Sequence, residues 1–190
     1  MRVFPRRSST RTRGFTLVEL GVVVAIIGLM TYTVSASFDS LVPGERLNTS
    51  VRKLSTVIRE ARSEAFARNA EFLLEYDLDE HRFRLITPFV AGGGLFLPGI
   101  HREEDRFMGV WHPLRQGVEF GSIVLAGEVY DSGSVIVNFD SSGSASDHWV
   151  LLTQPQYNNL FTVEVLALTG LIRLHDGAYE RPLPDDSDFN

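Results

Sequence analysis

Between a basic leader and Val34 the chain carries an apolar run, Phe15 to Val34, with one carboxylate, Glu19, inside it. About 20 residues at ~1.5 Å rise each span roughly 30 Å, the hydrocarbon thickness of a bilayer. A charged side chain at a bilayer centre costs about 2.5–3.5 kcal/mol on insertion scales, so Glu19 calls for a partner. Arg2, Arg6, Arg7, Arg11 and Arg13 precede the run, with no acid among them. Such a flank stays on the cytoplasmic side, which places the remainder of the chain across the membrane.

A secretory signal peptide has an apolar region of about 7–15 residues and no carboxylate in it. Val34-Ser35-Ala36 offers small residues for such a cut, but the run is too long. A plain membrane anchor leaves Glu19 unexplained. A carboxylate so placed calls for a cation about one helical turn away. The two charges attract strongly in low dielectric, within one chain or between neighbouring copies, and pairing offsets desolvation. The blander alternative is that Glu19 snorkels to the interface.

Pro43-Gly44 interrupts the pattern after the run, and proline disfavours an interior helix. A kink or short break is expected near 43–44. From Glu45 the apolar positions Leu47, Val51, Leu54, Ile58, Ala61 and Ala65 alternate steps of four and three. That spacing is one stripe of an amphipathic helix, over about 45–69, laid on a sheet. Arg52, Lys53, Arg59, Glu60, Arg62, Glu64 and Arg68 fall mainly on other faces and read as a solvated surface.

After Asn69 the period changes to two. Strands are expected at 71–76 and 81–87 as a hairpin around Asp77 to Glu80, with Phe83, Leu85 and Thr87 opposed to Arg82, Arg84 and Ile86. Residues 88–109, with Gly92-Gly93-Gly94 and Pro98-Gly99, read as loop. Further strands are expected at about 118–126, 134–139, 148–153, 160–168 and 171–175. Strands at this spacing behind one long helix indicate an α+β domain with antiparallel sheets. The residues from 177 to 190 read as a flexible tail, rich in Pro and Asp towards its end. The chain has no cysteine, so no disulfide supports it. After removal of 14 of 190 residues, 176 remain, enough for one core.

Asp77, Asp79, Glu80 and His81 lack the wrapped, spaced pattern of a calcium loop and read as turn chemistry. Ser146-Asp147-His148 holds triad residue types, but a triad is a spatial arrangement, and no Gly-x-Ser-x-Gly element is present. The five histidines show no zinc spacing. Gly92-Gly93-Gly94 has no following Lys-Ser or Lys-Thr and is no phosphate loop. Trp111 and Trp149 read as core or interface aromatics. No catalytic residue, metal site or cofactor is expected.

Gly14-Phe15-Thr16-Leu17-Val18-Glu19-Leu20 closely resembles the leader junction of type IV pilins and type II secretion pseudopilins. The resemblance implies cleavage between Gly14 and Phe15 by a prepilin peptidase, N-methylation of Phe15, and an assembly role for Glu19. Downstream, Leu54 with Ile58 to Ala65, then Leu114 to Val118, Val137 to Ser144, and Val163-Glu164-Val165 to Arg173 resemble, in that order, the H-type minor pseudopilins of type II secretion and the related T-type minor pilins. This implies a pilin-like α+β fold, a long N-terminal helix whose first half spans the membrane, packed on antiparallel sheets. The implied organisation is a leader at 1–14, a transmembrane helix at 15–34, a periplasmic amphipathic helix at 35–69 with its break near 43–44, a periplasmic β domain at 70–176 and a tail at 177–190. The chain would sit in the inner membrane with its N-terminus cytoplasmic.

The implied role is a non-enzymatic subunit of the periplasmic pseudopilus tip, which helps export folded proteins across the outer membrane. Implied partners are prepilin peptidase, other minor and major pseudopilins, and secreted substrates. The alternatives are a minor pilin of a type IV pilus, for adhesion, motility or DNA uptake, and a membrane-tethered domain that does not polymerise. DNA-uptake members carry Gly-Arg-x-Arg near the C-terminus. Here the stretch is Gly170-Leu171-Ile172-Arg173, followed by Asp185, Asp186 and Asp188. Phosphate binding depends on Lys and Arg, so nucleic acid is not an expected partner. Loss of the leader removes five of 18 basic and none of 24 acidic residues, leaving 13 against 24, a net −11.

Coexpression with a prepilin peptidase is expected to shorten the chain by 14 residues, read by intact mass. Gly14→Ala should leave the precursor intact, and normal trimming of that variant would reject the leader assignment.

Overall fold

The computed structural model describes residues 17–179, with the side chains of 31–43 excepted. The chain forms two compact units, Met1–Leu41 and Val42–Asn190. Helix α1 (Leu17–Arg68) supplies the described part of the first unit and the start of the second. In the first unit Leu17, Val18, Leu20 and the apolar side chains onward to Met30 are exposed. Among the described residues no helix is long and apolar enough to cross a membrane. The span expected at 15–34 extends beyond the described side chains at both ends.

The break expected near 43–44 is absent, since the backbone is helical without interruption from Leu17 to Arg68. Proline removes one hydrogen bond from the ladder, and the bonds on either side keep the helix going. Its end is well defined. Asn69 adopts a left-handed φ of 48°. The Asn69 N–H donates to Phe66 O (3.3 Å) and the Ala70 N–H to Ala65 O (3.1 Å). This is a Schellman cap with asparagine in the position glycine usually takes.

Two antiparallel sheets follow. The first contains β1 (Phe72–Asp77), β2 (Arg82–Val90), β3 (Arg106–Met108), β4 (His112–Pro113) and β7 (Ser134–Phe139), in the order β3-β2-β1-β7 with β4 also paired to β2. The second contains β5 (Glu119–Leu125), β6 (Glu128–Tyr130), β8 (His148–Gln154), β9 (Asn159–Val165) and β10 (Ile172–Asp176), in the order β10-β9-β8-β5-β6. The hairpin expected around Asp77 is present, with Asp77 opposite Arg82 and Tyr76 opposite Phe83. The strands expected at 118–126, 134–139, 148–153, 160–168 and 171–175 correspond to β5, β7, β8, β9 and β10.

Within the expected loop 88–109 lies β3, and the short strands β4 and β6 were not expected either. Strands of two or three residues leave no readable alternation. Alternation in β2 holds at Arg82, Phe83 and Arg84, then fails, because Ile86, Thr87 and Pro88 are all buried. The pairing of β2 with β3 is irregular between Ile86 and Val90. Thr87 Oγ1 donates to Phe107 O (2.8 Å), and Arg106 Nε donates to Thr87 O (2.8 Å). In β5, Phe120 and Ile123 are three apart yet both buried. A register shift between Phe120 and Ser122 allows this, as an extra residue reverses the facing of those that follow. Gly121 occupies the shift, and a Cβ there would meet Thr153 Cγ2 at 2.5 Å.

One core joins the helix to both sheets. The stripe Leu47, Val51, Leu54, Ile58, Ala61 and Ala65 is at most 5% exposed. It belongs to the same cluster as Phe72, Leu74 and Tyr76 of β1, Val137 and Phe139 of β7, Ile123 of β5, Val150 and Leu152 of β8, and Val163 and Val165 of β9. Gly177 to Tyr179, expected in the flexible tail, are pinned. Gly177 N–H donates to Leu160 O (3.0 Å), Thr162 Oγ1 donates to Gly177 O (2.8 Å), and Tyr179 N–H donates to Thr162 Oγ1 (3.2 Å). Residues 180–190 of that tail lie outside the described residues.

His148 is fully buried in this core. Its Nδ1 lies 2.7 Å from Ser146 O and its Nε2 3.1 Å from Tyr76 Oη. A carbonyl only accepts, so Nδ1 carries the proton and neutral Nε2 accepts from the tyrosine. Burial pushes the imidazole from 6.5 down to about 4, and burial likewise raises the Tyr76 phenol. Below pH 6.5 the unfolded chain binds a proton that the folded chain refuses. The stabilisation is complete above pH 6.5 and is lost as pH falls towards 4, by about 3 kcal/mol in all. Denaturant midpoints between pH 7.5 and 4.5 are expected to fall more steeply for the native chain than for His148→Gln.

Candidate assembly site

Three of the sequence segments singled out above meet at one place beside α1. Arg62, expected on a solvated face, is instead half-buried and donates from Nε to Gly143 O (3.1 Å). Gly143 lies in the loop after β7, which is wound around Asp140. Asp140 Oδ1 accepts from Ser142 N–H (2.7 Å), Ser142 Oγ (2.6 Å) and Ser144 N–H (3.2 Å). These bonds, the Ser142 hydroxyl foremost, together lower the Asp140 pKa against the opposing effect of burial. The same loop reaches the turn between β9 and β10, where Ala145 N–H donates to Ala167 O (2.8 Å). Gly170 closes the junction. Its φ is +57°, and a Cβ there would lie 2.7 Å from both Gly143 O and Arg62 Cδ.

The fourth segment fastens an earlier part of the helix. Arg115 N–H donates to Ser50 Oγ (3.1 Å), and Leu114 N–H donates to His81 O (2.9 Å). Val118 is buried at 3% exposure. The four segments are therefore those that attach the sheets to the helix by polar bonds around the apolar stripe. The signal for this in the sequence was their small and polar residue types; the pairing of Arg62 with a backbone carbonyl 81 positions away was not legible.

The other candidates resolve into local structure. Asp77 accepts from Glu80 N–H (3.1 Å) and from Arg82 Nε (2.9 Å), and Asp79 accepts from Gly133 N–H (3.1 Å). Burial raises the Asp77 pKa, but the bonds from Glu80 and Arg82 outweigh it and the net shift is downward. His81 Nδ1 accepts from Phe120 N–H (3.3 Å) and ties the turn to β5. Ser146 and His148 serve the buried bond to Tyr76. Gly93 forms a tight turn at the end of β2, with its N–H on Val90 O (2.9 Å). Trp111 lies under two guanidinium groups, Arg82 at 4.5 Å and Arg84 at 4.2 Å from its ring. Both arginines are also ion-paired, to Asp77 and Glu75. Trp149 stands half-buried in β8.

Of the residues of the expected leader junction, Gly14 and Phe15 lie outside the described residues. Glu19 is exposed in the first turn of α1. A carboxylate there also complements the positive end of the helix dipole.

The crystal structure of the minor pseudopilin EpsH from the type II secretion system of Vibrio cholerae matches with a TM-score of 0.51 at 13% identity, over 72% of this chain and 98% of that one. A second EpsH structure gives 0.49 at 15% identity, over 69% and 97%. The type IV minor pilin FimU of Pseudomonas aeruginosa gives 0.44 at 13% identity, over 69% and 89%. No family model and no curated protein matches the chain. The fold is thus the α+β, type IV pilin-like one, of the kind seen in the minor pseudopilin EpsH.

Arg62→Ala removes a charged hydrogen bond, and a loss of about 1.5–3 kcal/mol is expected. Gly170→Val introduces left-handed strain and a clash at the same point, and should cost about 2 kcal/mol or more. Because the two share the junction, their effects in denaturant unfolding should be strongly non-additive. Simple additivity would deny the junction its role.

Proposed function

We propose that this protein is a minor pseudopilin of a type II secretion system, a non-enzymatic structural subunit near the tip of a periplasmic pseudopilus. One observation carries the reading: the Gly14-Phe15 junction, with Glu19 in the first turn of the helix that follows, belongs to a chain with a pilin-like fold. The precursor inserts with its five leader arginines in the cytoplasm. Prepilin peptidase cuts after Gly14, and Phe15 becomes the methylated terminus. Residues 15–34 anchor the subunit in the inner membrane, and the β domain lies in the periplasm. The Phe15 ammonium and the Glu19 carboxylate, on the same or adjacent subunits, neutralise one another in the lipid. That pairing recruits subunits into the helical centre of the filament, among other minor and major pseudopilins. Growth of the filament then drives folded substrates through an outer-membrane channel.

Leu171 supports this setting over DNA uptake. It is 53% exposed at the position where DNA-uptake pilins carry the first arginine of their basic element.

Deletion of the gene in its host is expected to trap exoproteins in the periplasm. The wild-type chain should restore export. Glu19→Ala should be processed normally yet enter the filament about tenfold less, the equivalent of ~1.4 kcal/mol. Intact export with loss of surface pili would move the protein to a type IV pilus. No effect on either would leave a tethered domain that does not polymerise.

A further inference from the structure

A strand on the border of a sheet leaves one row of backbone N–H and C=O groups unpaired, a template for another chain. In the first sheet the border strands are β3, β4 and β7, and in the second β6 and β10. Strands β3, β4 and β6 are two or three residues long, too short for a template. The loop after β7 covers that strand, since Asn138 N–H donates to Ser146 Oγ (3.2 Å) and Asn138 O accepts from Ser146 N–H (3.0 Å). By contrast β10 has five residues and no proline. Leu171 O accepts from Leu166 N–H (2.9 Å) and Gly177 N–H donates to Leu160 O (3.0 Å), so the odd-numbered residues address β9. The N–H and C=O of Ile172, Leu174 and Asp176 therefore point outward, and among the described residues no strand pairs with them. Leu174 is 48% exposed, and Asp176 is exposed too.

This open edge runs beside one flank of α1. At one end Asn48 lines a pocket with Asp176 and Gly177, and at the other Arg62 packs against Gly170. From 48 to 62 a helix advances about 21 Å, and from 170 to 177 a strand advances about 23 Å, so the two lie side by side in opposite directions. Between those ends the helical period places Arg52 and Arg59 on the same flank, both exposed. Arg52, Arg59 and Arg62 form no ion pair among the described residues. The acids of this side, Glu45 and Asp176, belong to the Asn48 end. Asp140, in the loop beside Arg62, is occupied by Ser142 and Ser144.

We propose that β10 accepts an extended segment of a partner protein as a sixth strand of the second sheet, with carboxylates of that segment facing Arg52 and Arg59. Only extended backbone offers donors and acceptors at the two-residue spacing of Ile172, Leu174 and Asp176. Guanidinium groups without a carboxylate select acidic side chains. The chain's own end is led elsewhere. Tyr179 stacks on His175, 3.8 Å between ring centroids, and donates from N–H to Thr162 Oγ1, on the face of the sheet away from the core. Further on, Pro182 and Pro184 have no N–H to give to a ladder. The contact is separate from the pairing at Glu19 and does not depend on the assembly reading.

The test follows amide hydrogen exchange, residue by residue, in the full-length protein in detergent micelles. The probe is a capped heptapeptide of alternating valine and glutamate. At millimolar peptide, exchange at Ile172, Leu174 and Asp176 is expected to slow about tenfold, with Val163 in β9 unchanged. A fully N-methylated version of the peptide has no donors and should protect none of the three. A version with lysine in place of glutamate should bind about fivefold more weakly, and Arg52→Glu with Arg59→Glu, both at exposed positions, should reverse that preference. Unchanged exchange at the three amides overturns the proposal. So does equal protection by the N-methylated peptide, or a preference that the double variant leaves as it was. Slow exchange at the three amides before any peptide is added also overturns it, because the chain itself then fills the edge. Leader trimming and Glu19-dependent incorporation are measured apart from this, so failure at β10 leaves the assembly reading standing.

Discussion

Burial of one helical stripe between two sheets is the constraint on which the second unit depends. Leu47, Val51, Leu54, Ile58, Ala61 and Ala65 have no other place to go once the helix is formed, and each large aliphatic among them contributes about 1.5–3 kcal/mol on leaving water. Neither sheet on its own closes a core. The inward residues of β1 and β7 and those of β5, β8 and β9 meet in the same cluster as the helix. A fully buried Tyr76–His148 bond lies within that cluster and is satisfied at both ring nitrogens of the histidine. It couples the two sheets and makes the fold sensitive to acid.

Polar bonds then fix how the loops sit around the stripe. Ser50 holds the segment before β5, and Arg62 holds the loop after β7. Gly170 allows the β9–β10 turn to approach that loop to a distance no other residue tolerates. These bonds are individually modest, about 0.5–1.5 kcal/mol for neutral groups and more for the guanidinium. Their effect is to leave the flanks of the helix in a defined relation to the sheet edges.

Much of the architecture was legible because its signals are periodic. The four-three spacing from Leu47 to Ala65 identified the buried face, and alternation with turn residues located seven of the ten strands among the described residues. Strands β3, β4 and β6 escaped because two or three residues carry no period. The expected break at Pro43-Gly44 was read from local chemistry alone, and the continuous ladder of α1 overrode it. Arg62 was assigned to solvent by charge, yet a carbonyl far away in sequence made it part of the junction. Ser146-Asp147-His148 held reactive residue types, and burial turned the imidazole into a structural group.

The amino-acid sequence by itself determined the order of elements, the apolar face of the helix and the apolar run with its single carboxylate, Glu19, since each is written in neighbouring residues. Tertiary structure alone decided which charges stay exposed, which are spent on backbone carbonyls, and how the helix flanks face the sheet edges. Those outcomes depend on contacts between residues tens of positions apart. Such contacts form when burying the stripe brings both sheets onto one helix.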